Sequence, residues 1–197
     1  MGEPRRRMSA ADRRDQLLDV ARDIVVAEGF AAVGIDRVAR IAGVARALIY
    51  QQFGDLTGLT TALLERETET ALRGMLTVDW ADADIDRVGR GILAYLHAAP
   101  ISWRILLSPP EGGPALLRER VEIGRRYARA IGARHLSRYA GVPVDPDGPT
   151  QRLVHAALEE LLRQHLADPV ACPDEVVLRY LRSLVAWAVR VEQGAPD

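Results

Sequence analysis

The sequence predicts an all-α protein, with an N-terminal three-helix unit over residues 1–55 and a larger helical part over 56–197. Three observations carry this. Apolar residues recur three to four apart almost throughout, the period of a helix with one buried face. Gly and Pro gather in short clusters between those stretches, where helices stop. No run alternates apolar and polar in the manner of a half-buried strand. With 48% hydrophobic but only 5% aromatic residues in 197, the core must be built from Leu, Val, Ile and Ala.

Nine helices are expected. Leu17, Ala21, Ile24 and Val25 mark the first, stopped by Gly29. Two short helices follow, over residues 35–42 and 45–52, with Gly43 between them; a longer one covers 56–76 through Leu59, Leu63 and Leu64. Asp82 or Asp84 can cap the fifth, which carries Ile85, Val88, Ile92, Leu93 and Leu96 up to Pro100. A brief helix over 101–107 ends at Ser108-Pro109-Pro110, and Gly112, Gly113 and Pro114 precede an arginine-rich helix over 115–139. After the segment 141–149, with its three prolines, two amphipathic helices close the chain, separated by Pro169 and Pro173.

Net charge is −1, so the whole chain does not advertise a polyanionic partner. Up to Phe53, nine Arg stand against seven Asp or Glu, a mild basic bias with Arg5, Arg6 and Arg7 clustered at the start. Every basic residue is Arg, as a GC-rich coding sequence produces. A single Cys172 allows no internal disulfide, and no apolar signal segment or stretch of about 18 apolar residues is present; a cytoplasmic protein without membrane contact is expected. The four histidines, His97, His135, His155 and His165, lack metal-type spacing to one another or to Cys172, so no metal and no cofactor is expected. Without a nucleophile elbow, phosphate loop or dinucleotide fingerprint, the chain does not read as an enzyme.

The informative segment is IDRVARIAGVARALIYQQF, Ile35 to Phe53. A helix-turn-helix needs a small residue where its helices touch, a tight turn, and apolar residues pinning the second helix. Ala39 supplies the contact, Gly43 tolerates the positive φ of the turn, and Val38, Val44 and Ile49 can share a core with Leu17, Ala21 and Ile24. The hexapeptide Ala39 to Val44 also suits a plain helix–helix corner, so by itself it leaves both readings open.

Over residues 13–64 the sequence resembles the TetR family of bacterial transcriptional regulators, with Gly29-Phe30, Val38-Ala39, Ala42-Gly43-Val44, Ile49-Tyr50, Phe53 and Leu59 in register. It departs from the family at Gly34, which replaces a capping hydroxyl, and at Ala45, Ala47 and Leu48 on the recognition helix. It departs also at Gln52, where His is usual, and at Leu56, where a phosphate-binding Lys is usual. The resemblance implies a homodimer on a palindromic double-stranded DNA operator, acting as a repressor and released by a small-molecule effector. The positions it turns toward DNA are Arg37, Arg40, Ala45, Arg46, Leu48, Tyr50, Gln51 and Gln52. Arg46 is the first candidate for base or phosphate contact, because Arg reads guanine bidentately, and Tyr50 is the candidate for phosphate.

The last two helices would pair with their copies as a four-helix bundle, with Leu158, Leu161, Leu162, Leu181, Leu184 and Trp187 at the interface. The middle helices would hold the effector among Met75, Tyr95, His97, Trp103, Arg104 and Tyr127. The competing reading is an all-α ligand-binding or protein-interaction module without specific DNA recognition, supported by Leu48 and Leu56.

Overall fold

The computed structural model describes residues 9–73, 84–108 and 115–194, apart from the side chains of residues 116 and 117. The described residues form nine α-helices and one short 3-10 turn, with no strand. Helix α1 covers Ala10–Glu28, and the 3-10 turn covers Phe30–Ala32. Then come α2 (Ile35–Ala42), α3 (Arg46–Phe53), α4 (Leu56–Leu72), α5 (Ile85–Ala98) and α6 (Pro100–Leu106). The last three are α7 (Ala115–Ala140), α8 (Pro149–Ala167) and α9 (Asp174–Glu192).

Local chemistry explains most of these boundaries. Ser9 opens α1 with a capping box: its hydroxyl accepts from the Asp12 N–H at 3.0 Å, and the Asp12 carboxylate accepts from the Ser9 N–H at 3.3 Å. Asp84 caps α5 by accepting from the Asp86 N–H at 2.9 Å, while Asp82 lies outside the described residues. Two helices begin on proline, α6 at Pro100 and α8 at Pro149. Proline at the first helical position loses only an N–H that has no helical acceptor there. The recognition-type helix starts at Arg46, one residue later than expected, because Ala45 is extended and serves as its N-cap.

The chain divides into two compact units, the described parts of Met1–Glu67 with Ser108–Arg118, and of Thr68–Leu107 with Glu119–Asp197. In the N-terminal unit Leu17, Ala21, Ile24, Val25, Phe30, Val38, Ile49, Leu59 and Leu63 are buried, the apolar set the periodicity marks together with Phe30. One close approach fixes the entry to α4: a Cβ on Gly58 would lie 1.8 Å from the Phe53 carbonyl oxygen, so only glycine fits.

The C-terminal unit has two apolar clusters. Leu93, Leu96, Leu162, Leu166, Cys172 and Val177 join α5, α8 and the start of α9. Ala133, Leu136, Val144, Val154 and Ala188 join α7, α8 and α9. Helices α5 and α9 meet at Gly89, where a Cβ would press to 2.6 Å of a Leu178 methyl, and Arg182 of α9 grips Asp86 of α5 at 2.8 and 2.9 Å. Arg129 of α7 is buried and binds Glu122 and Asp147, each at 3.0 Å, which ties the loop before α8 to α7. Among the described residues no helix is long and apolar enough to cross a membrane.

Candidate functional site

Helix α2 ends on Gly43 in the left-handed region, φ 66° and ψ 38°, and its N–H returns to the carbonyls of Ala39 and Arg40. The Val44 N–H bonds to the Ala39 carbonyl at 3.0 Å, closing the turn. Ala39 is buried at this corner, and Val38 and Ile49 are fully buried behind it. The opposite face of the motif then stands in solvent: Arg40, Ala45, Arg46, Ala47, Tyr50 and Gln51 are exposed, Tyr50 at 52%.

Neither α2 nor α3 has a side-chain cap, since Gly34 and Ala45 hold those positions. The first N–H groups of α3 therefore face outward with their partial positive charge, a setting that favours an anion. Beside them an open cleft of about 590 Å³ is lined by Asp36, Arg37, Ala39, Arg40, Val44, Ala45 and Arg46. Arg46 Nε contacts Asp36 Oδ1 at 2.7 Å, but the two side chains are 65% and 67% exposed. Such a pair is worth about 0–1 kcal/mol, so a phosphate or base can displace the carboxylate. Arg40 makes no ion pair among the described residues.

Arg37 has a partner on another helix. Its guanidinium grips Glu28 at the end of α1, including Nη1 to Oε2 at 2.9 Å, and also reaches the Ala32 carbonyl. The Arg37 hydrogen bond holds the Glu28 carboxyl below its ordinary range. This pair ties α1 to α2 at their corner, while Arg37 also lines the cleft beside the start of α3. Leu48 and Gln52 are half-buried, so each turns part of its side chain inward. Arg14 was not among the sequence candidates. Its Nη1 donates to the Gln52 carbonyl at 2.8 Å, and the guanidinium lies 4.4 Å above the Phe53 ring, which anchors the end of α3. The i, i+3 and i+4 patterns within a helix carry no signal for a contact 38 residues apart.

Of the effector candidates, Tyr95 of α5 and Trp103 of α6 come together, edge to face with ring centroids 4.9 Å apart. The Tyr95 Oη and Trp103 Nε1 are both buried and have no hydrogen-bond partner among the described residues. Burial pushes the Tyr95 phenol up to about 12. Arg104 lies at the surface and spends Nε, 3.1 Å, and Nη2 on the Leu166 carbonyl, where it closes the end of α8. Tyr127 is 61% exposed on α7, so it lines no enclosed site in the described unit, and Met75 lies outside the described residues. His97 is exposed but meets His165, which corrects the reading of the histidines as scattered.

The expected interface residues also divide. Leu162 and Leu181 are buried inside the C-terminal unit, so their surface is already used. Leu158, Leu161, Leu184 and Trp187 are partly exposed, on the same two helices as the exposed Leu153 of α8 and Tyr180 and Val191 of α9.

Residues 17–63 match the family model of bacterial regulatory proteins, tetR family. A 69-residue stretch is 35% identical to the HTH-type transcriptional activator FasR of Mycolicibacterium smegmatis, covering 35% of this chain and 32% of that one. A 51-residue stretch is 41% identical to the HTH-type transcriptional regulator AlkX of Mycobacterium tuberculosis, covering 26% and 24%. The match thus spans about a third or less of these curated relatives. Solved structures match over far more of the chain. A TetR-like transcriptional regulator from Rhodococcus sp. RHA1 superposes with a TM-score of 0.63 at 21% identity, covering 95% of this chain and all of that one. The multidrug binding protein EbrR, complexed with malachite green, superposes with a TM-score of 0.64 at 20% identity, covering 88% and 98%. At these identities the superpositions establish the fold.

Proposed function

We propose that this chain, a TetR-family protein by its N-terminal unit, is a DNA-binding transcriptional repressor that works as a homodimer and is released by a small molecule. The observation that carries the reading is the face of α2 and α3. Ile49 is fully buried, and Arg40, Arg46, Tyr50 and Gln51 project on the other side, next to the uncapped start of α3. A helix pinned by its apolar side, with Arg, Tyr and Gln outward, has the donors that phosphates and base edges require. Leu48 and Leu56 are half-buried, so the wide apolar patch that a protein-interaction reading needs at this position is not supported.

Dimerisation is supported by the partly exposed apolar side chains of α8 and α9, Leu153, Leu161, Tyr180, Leu184 and Val191. Two copies joined there would present paired recognition helices, which suit half-sites roughly 34–36 Å apart on DNA. An effector is supported by the buried, unpartnered Tyr95 Oη and Trp103 Nε1, since orphaned polar atoms in an apolar setting are what a ligand's polar groups satisfy. EbrR, of the same fold, is described as a multidrug binding protein. The effector would shift the population toward a form with the wrong half-site spacing, lowering operator affinity by its differential affinity for the two forms.

Selection from a random duplex pool at physiological salt tests the reading. One enriched palindrome, whose placement before a reporter lowers expression, is the expected result. No preferred site from folded, dimeric protein would sink DNA recognition, and raised expression would make the chain an activator, as FasR is named. Leu184→Asp places a charge on the proposed interface and is expected to give monomers in sedimentation with little operator affinity; an intact dimer would move the interface elsewhere.

A further inference from the structure

Three metal-ligating side chains far apart in the sequence converge in the C-terminal unit. His97 stands in the last turn of α5, His165 in the last turn of α8, and Asp174 is the first residue of α9. The two imidazole Nε2 atoms are 2.7 Å apart, and each is 3.6 Å from Asp174 Oδ1. His165 is buried at 3% exposure, whereas His97 and Asp174 are each 47% exposed, so the cluster has a closed floor and an open mouth.

The protonation pattern suits a cation. His165 Nδ1 lies 2.7 Å from the backbone carbonyl of Cys172, which can only accept, so Nδ1 carries the hydrogen. That tautomer leaves a lone pair on Nε2, aimed at His97 and Asp174. The same arrangement, one ring nitrogen donating to a carbonyl and the other free, orients metal-binding histidines. With the lone pair of His165 Nε2 as acceptor, His97 Nε2 is the donor of the 2.7 Å contact. A divalent ion takes the place of the donated hydrogen once that hydrogen moves to His97 Nδ1, so that both Nε2 lone pairs face the ion.

The donor set identifies the class of ion. Two imidazoles and one carboxylate suit Zn²⁺ and its borderline neighbours, while Mg²⁺ and Ca²⁺ prefer all-oxygen surroundings. Ligands about 2.0–2.2 Å from a tetrahedral Zn²⁺ lie roughly 3.4 Å from one another, so the imidazoles need to part by less than about 1 Å. We propose that His97, His165 and Asp174 bind one divalent transition-metal ion of the Zn²⁺ class, which ties the end of α5 to the α8–α9 turn and leaves the remaining coordination positions to water. The site does not depend on DNA binding, and its test is independent of that reading.

The test uses the full chain without a histidine tag, stripped with a chelator. Titration with Zn²⁺ against a chromophoric competitor is expected to show one ion per chain with micromolar or tighter affinity, and Mg²⁺ is expected to show none. Co²⁺ is expected to give the visible bands of a four- or five-coordinate ion. His97→Ala and Asp174→Asn change exposed side chains, so both are expected to keep wild-type circular dichroism and lose at least tenfold in Zn²⁺ affinity. His165→Asn, at the buried ligand, is expected to lose as much; if it misfolds, the other two variants decide. No saturable Zn²⁺ binding by the wild type would overturn the proposal, as would full affinity retained in His97→Ala and Asp174→Asn.

Discussion

The two units are both helical, yet the turn at the centre of the first and the junctions of the second rest on contacts of different reach. In the N-terminal unit the turn between α2 and α3 is made by neighbours: Gly43 returns to Ala39 and Arg40, Val44 to Ala39, and Ile49 is buried a turn later. In the C-terminal unit the defining contacts join residues distant in the chain. His97 meets His165 across 68 positions, Arg104 meets the Leu166 carbonyl across 62, and Arg182 meets Asp86 across 96. Short-range geometry is written into spacing and residue type. Long-range geometry depends on which apolar faces pair, and many sequences satisfy the same helical period.

The largest expected effect tests whether the two units share one packing rule. Ile49→Ala and Leu96→Ala each empty a fully or nearly fully buried site, and each is expected to cost about 2–5 kcal/mol in urea unfolding. Only Ile49→Ala is expected to abolish DNA binding at temperatures where the protein remains folded, because Ile49 orients α3. Equal loss of DNA binding in Leu96→Ala, with α3 undisturbed, would break the division of labour between the units.

Next come the exposed cations. Arg46→Ala is expected to weaken specific DNA binding by at least about 1 kcal/mol, and Arg40→Ala to lower the salt slope of binding by about one ion uniformly across sequences. Unchanged affinity in Arg46→Ala would remove it from the interface. Arg37→Ala serves as the contrast: it is expected to act through the stability of the α1–α2 corner, because Glu28 already occupies its guanidinium.

A pH experiment sharpens the comparison from the C-terminal side. Burial, with Arg129 and Arg125 adding to it, pushes the His155 imidazole below its ordinary 6.5 even though Glu159 pulls the other way. Burial and the nearby Arg138 and Arg134 likewise lower His135. The unfolded chain takes up these protons near pH 6.5, while the folded imidazoles resist until lower pH. Their neutral forms therefore give full stability above about 6.5, and it is lost as pH falls through the folded values. His155→Gln is expected to flatten this acid-side slope in thermal melts, and an unchanged slope would place the effect elsewhere.

The smallest effect is a gain. Gly34 caps α2 in extended backbone with open space where a Cβ would go, so Gly34→Ser supplies the missing capping hydroxyl without a clash. A few tenths of a kcal/mol of added stability are expected in urea titration; a loss would mean that the first turn of α2 tolerates no side chain there.

These contrasts also explain what was legible in advance. The bounds of α2, the turn at Gly43 and the buried positions Val38, Ala39 and Ile49 follow from local patterns, and the structure reproduces them. The row Arg40, Arg46, Tyr50 and Gln51 was implied by the family resemblance, and the structure places all four in solvent. The ion pair of Arg37 was not legible because its partner sits on another helix, nor was the exposure of Tyr127, because its position on α7 reveals a helical face but not what covers it. Leu162 and Leu181 carry the same apolar signal as a dimer contact, and only the packing of α5 against α9 and of the α8 cluster shows them spent inside one unit.

By itself, then, the sequence determined the helical class and the tight turn at Gly43, since each is a matter of period and glycine backbone within a few residues, while the helix-turn-helix reading and its outward face rested on the family resemblance. Tertiary structure alone decided which cations are committed to carboxylates, which apolar residues are exposed, and that His97, His165 and Asp174 share one cluster. Those depend on side chains from separate helices, whose distances are fixed by packing and by no spacing along the chain.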